Sequence, residues 1–181
     1  SYCYNTTIEN DRNMGEGFFW EILMNNRIYE IVAINEKSGN VQVISSGKPM
    51  THSEACTVLK KFSKPEKGIR IQLREIIPLK VANWSKFPAG RVVEDGPYCA
   101  DNFRENILVP AIEKFIYYAT EFTFLYIDMD GSMGYASNWL ERVFGGLVSI
   151  NNYDKEFLIT KLRFITDDIL EHEIFTYIQE A

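Results

Sequence analysis

Four consecutive residues carry the clearest chemistry in this chain. The apolar run Leu125–Ile127 ends in Asp128-Met129-Asp130-Gly131, and a helix-like segment follows. A carboxylate at the end of a buried strand can act as a nucleophile, and a second one two residues on can act as acid or base. The stretch "FITDD" (164–168) adds an acidic pair of the kind that holds a hard cation. Carboxylates and a divalent cation together are what phosphoryl transfer requires. Further along the same stretch, Ser137 stands where the helix should begin, a second position for chemistry.

Asp-x-Asp-Gly after an apolar strand resembles the first motif of haloacid-dehalogenase-type phosphatases. In that family the motif lies on the first strand, and most of the domain, including a lysine motif, comes after it. Here the chain ends at Ala181, and one helix separates the two acidic motifs. Lys155 and Lys161 are the lysines available, in a segment that reads as helix end and strand. The order is therefore wrong for a catalytic Asp128. The plainer reading has Asp128 and Asp130 forming the turn after the strand, with their carboxylates bonding local backbone N–H groups.

The elements that would position these residues follow from periodicity. Residues 27–35 and 41–45 read as a β-hairpin around the turn "EKSGN". Thr51 and Glu54 have capping-box spacing at the start of a short helix over 51–62. "GIRIQLREIIPL" (68–79) alternates as a half-buried strand. A loop-like stretch follows over 82–102, and a junction near residue 80 divides the chain into 1–80 and 81–181. A helix over 101–120 takes Asp101 as its N-cap and presents Phe103, Ile107, Ala111 and Phe115 as a core stripe; Pro110 should kink or break it. A buried strand is expected over 122–129 and a helix over 138–149, with Asn138 and Glu141 as a capping box. A last strand over 158–166 and a terminal helix capped by Asp167 or Asp168 complete the pattern. Alternation of this kind implies α/β architecture with mostly parallel strands.

Composition narrows the function classes. The 181 residues are 46% hydrophobic, 24% charged and 14% aromatic, enough for a well-packed core. A net charge of −6 disfavours nucleic acid or an anionic membrane as the main partner. No run approaches the ~20 apolar residues that span a bilayer. No signal-peptide pattern opens the chain, which starts at Ser1 as a fragment of a longer protein would. Cys3, Cys56 and Cys99 are widely spaced, and with only two histidines no metal site is expected. The expectation is a cytoplasmic protein in a reducing compartment.

The motifs "FPAGRVVEDGPYCADNFRENILVPAI" (87–112) and "DMDGSMGYASNWLERVFGGLV" (128–148) resemble, in order and spacing, a bacterial STAS-like family of unknown function, over about 82–181. In STAS domains, the fold of anti-sigma-factor antagonists, a strand ends in an Asp-containing loop and a serine opens the next helix. Ala136 stands where the STAS-like family has Gly, and Asn138 where it has a second Ser; the Asp that precedes the phosphorylated serine of partner-switching STAS proteins is also replaced by Ala136. The resemblance implies an α/β STAS-like layer preceded by a smaller α+β segment with a β-hairpin. It implies a non-catalytic, partner-binding signalling module in which Ser137 is a regulatory phosphosite. Asp128, Asp130 and Gly131 would form its loop, and Arg91 and Arg104 would bind an anion or pair with nearby aspartates. Residues 1–80, with "MGEGFFWEILMNN" (14–26) before a hairpin, resemble the C-terminal half of a GHKL-type ATPase. Gly15 and Gly17 would then line a nucleotide, and ATP would be a cofactor only if a longer protein completes that domain. The alternative reading is a nucleotide-binding sensor or phosphotransfer enzyme using the D-x-D-G loop.

Overall fold

The computed structural model describes residues 27–45, 50–62, 64–119 and 123–181. Gly15, Gly17 and the glycine-rich turn expected around them lie outside these residues. Two three-stranded sheets organise what is described. The fold is mixed α/β: a small antiparallel sheet, then a parallel sheet with helices.

The first sheet has the order β2-β1-β3 and is built from β1 (Ile28–Asn35), β2 (Val41–Val43) and β3 (Ile69–Ile76). The hairpin forms as expected, with Val32 opposite Val43 and Asn35 Oδ1 accepting from the N–H groups of Lys37 and Ser38 in the turn. Helix α1 (His52–Leu59) connects β2 to β3. Its capping box is complete: Thr51 Oγ1 accepts from Glu54 N, and Glu54 Oε2 accepts from Thr51 N.

The second sheet is parallel, in the order β4 (Leu79–Lys80), β5 (Leu125–Asp128), β6 (Leu162–Ile165). The chain thus changes sheet at Ile77 and Pro78. After the short helix α2 (Val81–Trp84), a long loop leads into helix α3 (100–118), which returns to β5. Helices α4 (137–149) and α5 (Lys155–Lys161) lead to β6, and α6 (Asp168–Glu180) closes the chain. Among the described residues, no helix is long and apolar enough to cross a membrane.

Strand alternation divides the parallel sheet by face. Leu79, Ile127 and Phe164 share one row, with Leu125 and Leu162 beside them, and all are buried in the main core against Phe103, Ile112, Leu147 and Ile174. The other face carries Lys80 beside Asp128 and Tyr126 beside Arg163. This polar face meets the first sheet. Tyr126 Oη donates to Glu30 Oε2 at 2.6 Å, and Glu30, almost fully buried, also pairs with Arg74 of β3. Burial first, then the Glu30 carboxylate, raises the Tyr126 phenol above its ordinary range.

Several expected boundaries move. Asp101 does not cap α3: Cys99 occupies that position, and the Asp101 carboxylate pairs instead with Arg142 and Arg104. Ala136 is the N-cap of α4, so Asn138 and Glu141 form no capping box. The expected strand over 158–166 is half helix. Asp154 caps α5 by accepting from Phe157 N at 2.7 Å, which carries 155–161 into helical geometry before β6 starts. Both long helices contain a π-turn, Arg104–Leu108 in α3 and Glu141–Gly145 in α4. Pro110 lies in the first turn after the π-turn of α3, where a missing N–H costs least.

Candidate functional site

In open α/β sheets, the carboxyl ends of parallel strands are where ligand-handling side chains gather. Here that edge holds Lys80, Asp128 and the 129–136 corner. Asp128 and Lys80 terminate neighbouring strands in register, and Lys80 Nζ lies 2.5 Å from Asp128 Oδ2. Both are largely shielded, with side-chain exposures of 19% and 9% for Lys80 and Asp128. The other carboxylate oxygen, Asp128 Oδ1, accepts from Asp130 N at 2.9 Å. Both oxygens of Asp128 are therefore engaged, one by a charge and one by the turn it makes. Asp130 is exposed beyond it.

Gly131 is required at this corner. Its φ is +92°, and a Cβ there would lie 3.3 Å from Ala82 Cβ. Tyr135 then folds back, its hydroxyl donating to the Met129 carbonyl at 2.7 Å. Burial, the larger cause, pushes the Tyr135 phenol up to about 12, and the Asp128 and Asp130 carboxylates act in the same direction.

Aromatic rings run beneath the edge. Tyr98, Trp84, Phe103, Trp139 and Tyr135 contact in sequence with centroid separations of 5.0–5.4 Å. They hold the 85–98 loop and the 129–136 corner to the helices. The loops are also joined directly, Met133 N donating to Lys86 O and Ser132 Oγ to Ser85 O, while Ala89 N donating to Tyr98 O closes the 85–98 loop on itself. Phe87 and Met133 are 68% and 76% exposed, and Tyr98 is 47% exposed. The three side chains leave apolar surface exposed on these loops.

Ser137 is exposed at the first position of α4. Its side chain lies near Tyr177 of α6, and Tyr177 Oη donates to Glu173 Oε1 at 2.9 Å. Burial, and then Glu173, raise the Tyr177 phenol. Arg91 lies elsewhere, exposed on the loop; its backbone N–H donates to Asp95 Oδ2 at 2.6 Å. The bond from Val92 N, and then this one, hold the Asp95 carboxyl below its ordinary range.

Arg104 is not at this edge. It is buried between α3 and α4, donating to the Arg142 carbonyl at 2.6 Å and pairing with Asp101 and Glu105. It holds two helices together and presents no anion-binding face. The structure thus brings Asp128, Asp130 and Gly131 together and leaves Arg91 and Arg104 apart from them. Lys80 is the member of the edge that sequence reasoning passed over. Its signal was positional: it closes the apolar run "IIPLK" as Asp128 closes "LYID". The chain matches no family model, no curated protein and no solved structure.

Proposed function

We propose that this chain is a non-catalytic protein-interaction module of the STAS-like type, preceded by a GHKL-like remnant that acts as support. The observation that carries this reading is the exposure of Phe87, Tyr98 and Met133 on the two loops that Met133 N–Lys86 O and Ser132 Oγ–Ser85 O join. Apolar side chains gathered on joined, well-anchored loops suit a partner surface. Asp128, held on both oxygens, serves as a structural pin of that surface. Ser137 sits exposed near it as the regulatory position. A phosphate there would meet the carboxylates of Glu173 and Glu141 that already surround Tyr177, and repulsion would loosen α6 at that contact.

The test is affinity capture from the source cells with the chain and with a Phe87→Asp/Met133→Asp variant. A partner retained by the former and lost by the latter supports the reading. Equal capture by both sinks it. A Ser137→Asp change that leaves every captured affinity untouched removes the switch while leaving the surface.

One observation favours a second reading. Lysine and aspartate at the ends of adjacent parallel strands are the pair a phosphoaspartyl-forming site would use. Incubation with acetyl phosphate followed by intact-mass measurement distinguishes the two. A phosphoryl adduct lost in Asp128→Asn establishes the second; an unchanged mass removes it.

A further inference from the structure

A cavity of about 270 Å³ lies where the two sheets meet. Ile76 and Ile77, leaving the antiparallel sheet, form one wall. Ala111 and Phe115 of α3 form another, and Phe124, Leu125 and Tyr126 form a third. Leu79 and Leu125 are buried in the main core, whereas Ile77 is 38% exposed. The cavity therefore runs from the edge of that core to solvent. Its volume lies just under the ~300 Å³ lower bound of pockets for drug-sized ligands, so it suits a single ring.

The polar side chains on its walls are already committed within the protein. Arg74 pairs with Glu30, and Tyr126 Oη donates to the same carboxylate. Glu75 pairs with Arg27. Lys114 and Thr123 also have interactions of their own. A charged ligand would thus give up its hydration with no counter-charge reserved for it, which is unfavourable. What the walls offer instead is apolar surface. Phe115, Phe124 and Tyr126 supply rings, which favour edge-to-face or offset contact with another ring.

We propose that the inter-sheet cavity binds a neutral molecule with one aromatic ring, held by Ile77, Ala111 and the Phe115 and Phe124 rings. Seated there, the ligand touches residues of both sheets, so its binding to the folded state also strengthens the contact between them. Selection is against charge of either sign, because no lining group is left over to replace the water that a charged ligand would lose.

The experiment uses the full chain and toluene as probe, with benzoate and benzylammonium as charged counterparts of the same ring. The methyl NMR signals of Ile77, Leu79 and Ala111 should shift with toluene at millimolar concentration. Benzoate and benzylammonium should each bind at least about tenfold more weakly than toluene. Filling the cavity with Ala111→Phe should abolish toluene binding. Ile77→Asp, at the exposed mouth, should weaken it at least about fivefold while circular dichroism stays unchanged, and it serves as the test should Ala111→Phe fail to fold. Absence of shifts at these methyls, equal or tighter binding of either charged probe, full affinity in a folded Ala111→Phe, or full affinity in Ile77→Asp would each overturn the proposal.

Discussion

The Arg104 guanidinium occupies the space that a side chain at Gly146 would need. A Cβ built at Gly146 falls 2.7 Å from Arg104 Nη1 and 3.2 Å from its Cδ. Arg104 is 2% exposed and fixed by Asp101, Glu105 and the Arg142 carbonyl, so it has little room to withdraw. Its target carbonyl belongs to the π-turn of α4, and Arg104 opens the π-turn of α3. Two helix irregularities therefore meet through one side chain.

Gly146→Ala should destabilise the protein by about 1–3 kcal/mol through overpacking. Urea unfolding at neutral pH measures it. In an Arg104→Met background the cost of Gly146→Ala should shrink, because the clashing atoms are gone. A double-mutant cycle with no coupling between the two positions would contradict the contact.

Acid should act through Asp101. Hydrogen bonds from Arg142, and then from Arg104, hold its carboxyl below the ordinary carboxylate range. A folded value lower than the unfolded one means that the contribution is complete above the unfolded pKa of about 3.9 and disappears as pH falls through the folded value. Asp101→Asn should therefore be less stable than wild type at pH 7, and the two should converge in strong acid. Urea midpoints followed from neutral to acid pH read this directly.

Alkali should act through Tyr135. Its phenol, pushed up to about 12 mainly by burial, is protonated in the fold at pH values where an unfolded tyrosine, with a pKa of about 10, ionises. The stability linked to that proton is whole below about pH 10 and is lost as pH rises through the folded value. Tyr135→Phe should lose about 1 kcal/mol at neutral pH with the bond to Met129, and should show less decline across the alkaline window. Thermal midpoints between neutral pH and pH 12 compare the two.

The Lys80–Asp128 pair gives an asymmetric expectation. Lys80→Met leaves a shielded carboxylate without its cation and should cost about 3 kcal/mol. Lys80→Met combined with Asp128→Leu removes both charges and should recover much of that loss, less the turn bond to Asp130. Denaturant unfolding of the single and double variants separates the cases. A double variant as unstable as the single would mean that the charges themselves hold the edge.

What the sequence made legible was local. The hairpin over 27–45, the Thr51–Glu54 box and the Asp167 cap are short-range patterns, and each has its expected bonds. The stripe Phe103, Ile107, Ala111 also faces the core as its spacing required. What escaped depended on distant partners. Asp101 reads as a cap until Arg142, far along the chain, claims its carboxylate. Lys80 matters because β4 lies beside β5, a pairing no periodicity reveals. "LITKLRFI" is apolar enough for a strand throughout, and the Asp154 cap upstream starts a helix that takes its first half. The exposure of Phe87 and Met133 is likewise not written in their residue type, since large apolar side chains are more often buried.

The polar face of the parallel sheet has a consequence for how such a chain can be assembled and reshuffled. Its contact with the first sheet runs through Tyr126, Glu30 and Arg74, hydrogen-bonding groups that water can also satisfy. Its apolar face is already covered by its own helices. A gene break at Pro78 would therefore bare a mixed seam, these hydrogen-bonding groups beside the apolar Phe115, Phe124 and Leu125. The core of the second half, gathered on its helix-covered face, would stay in place.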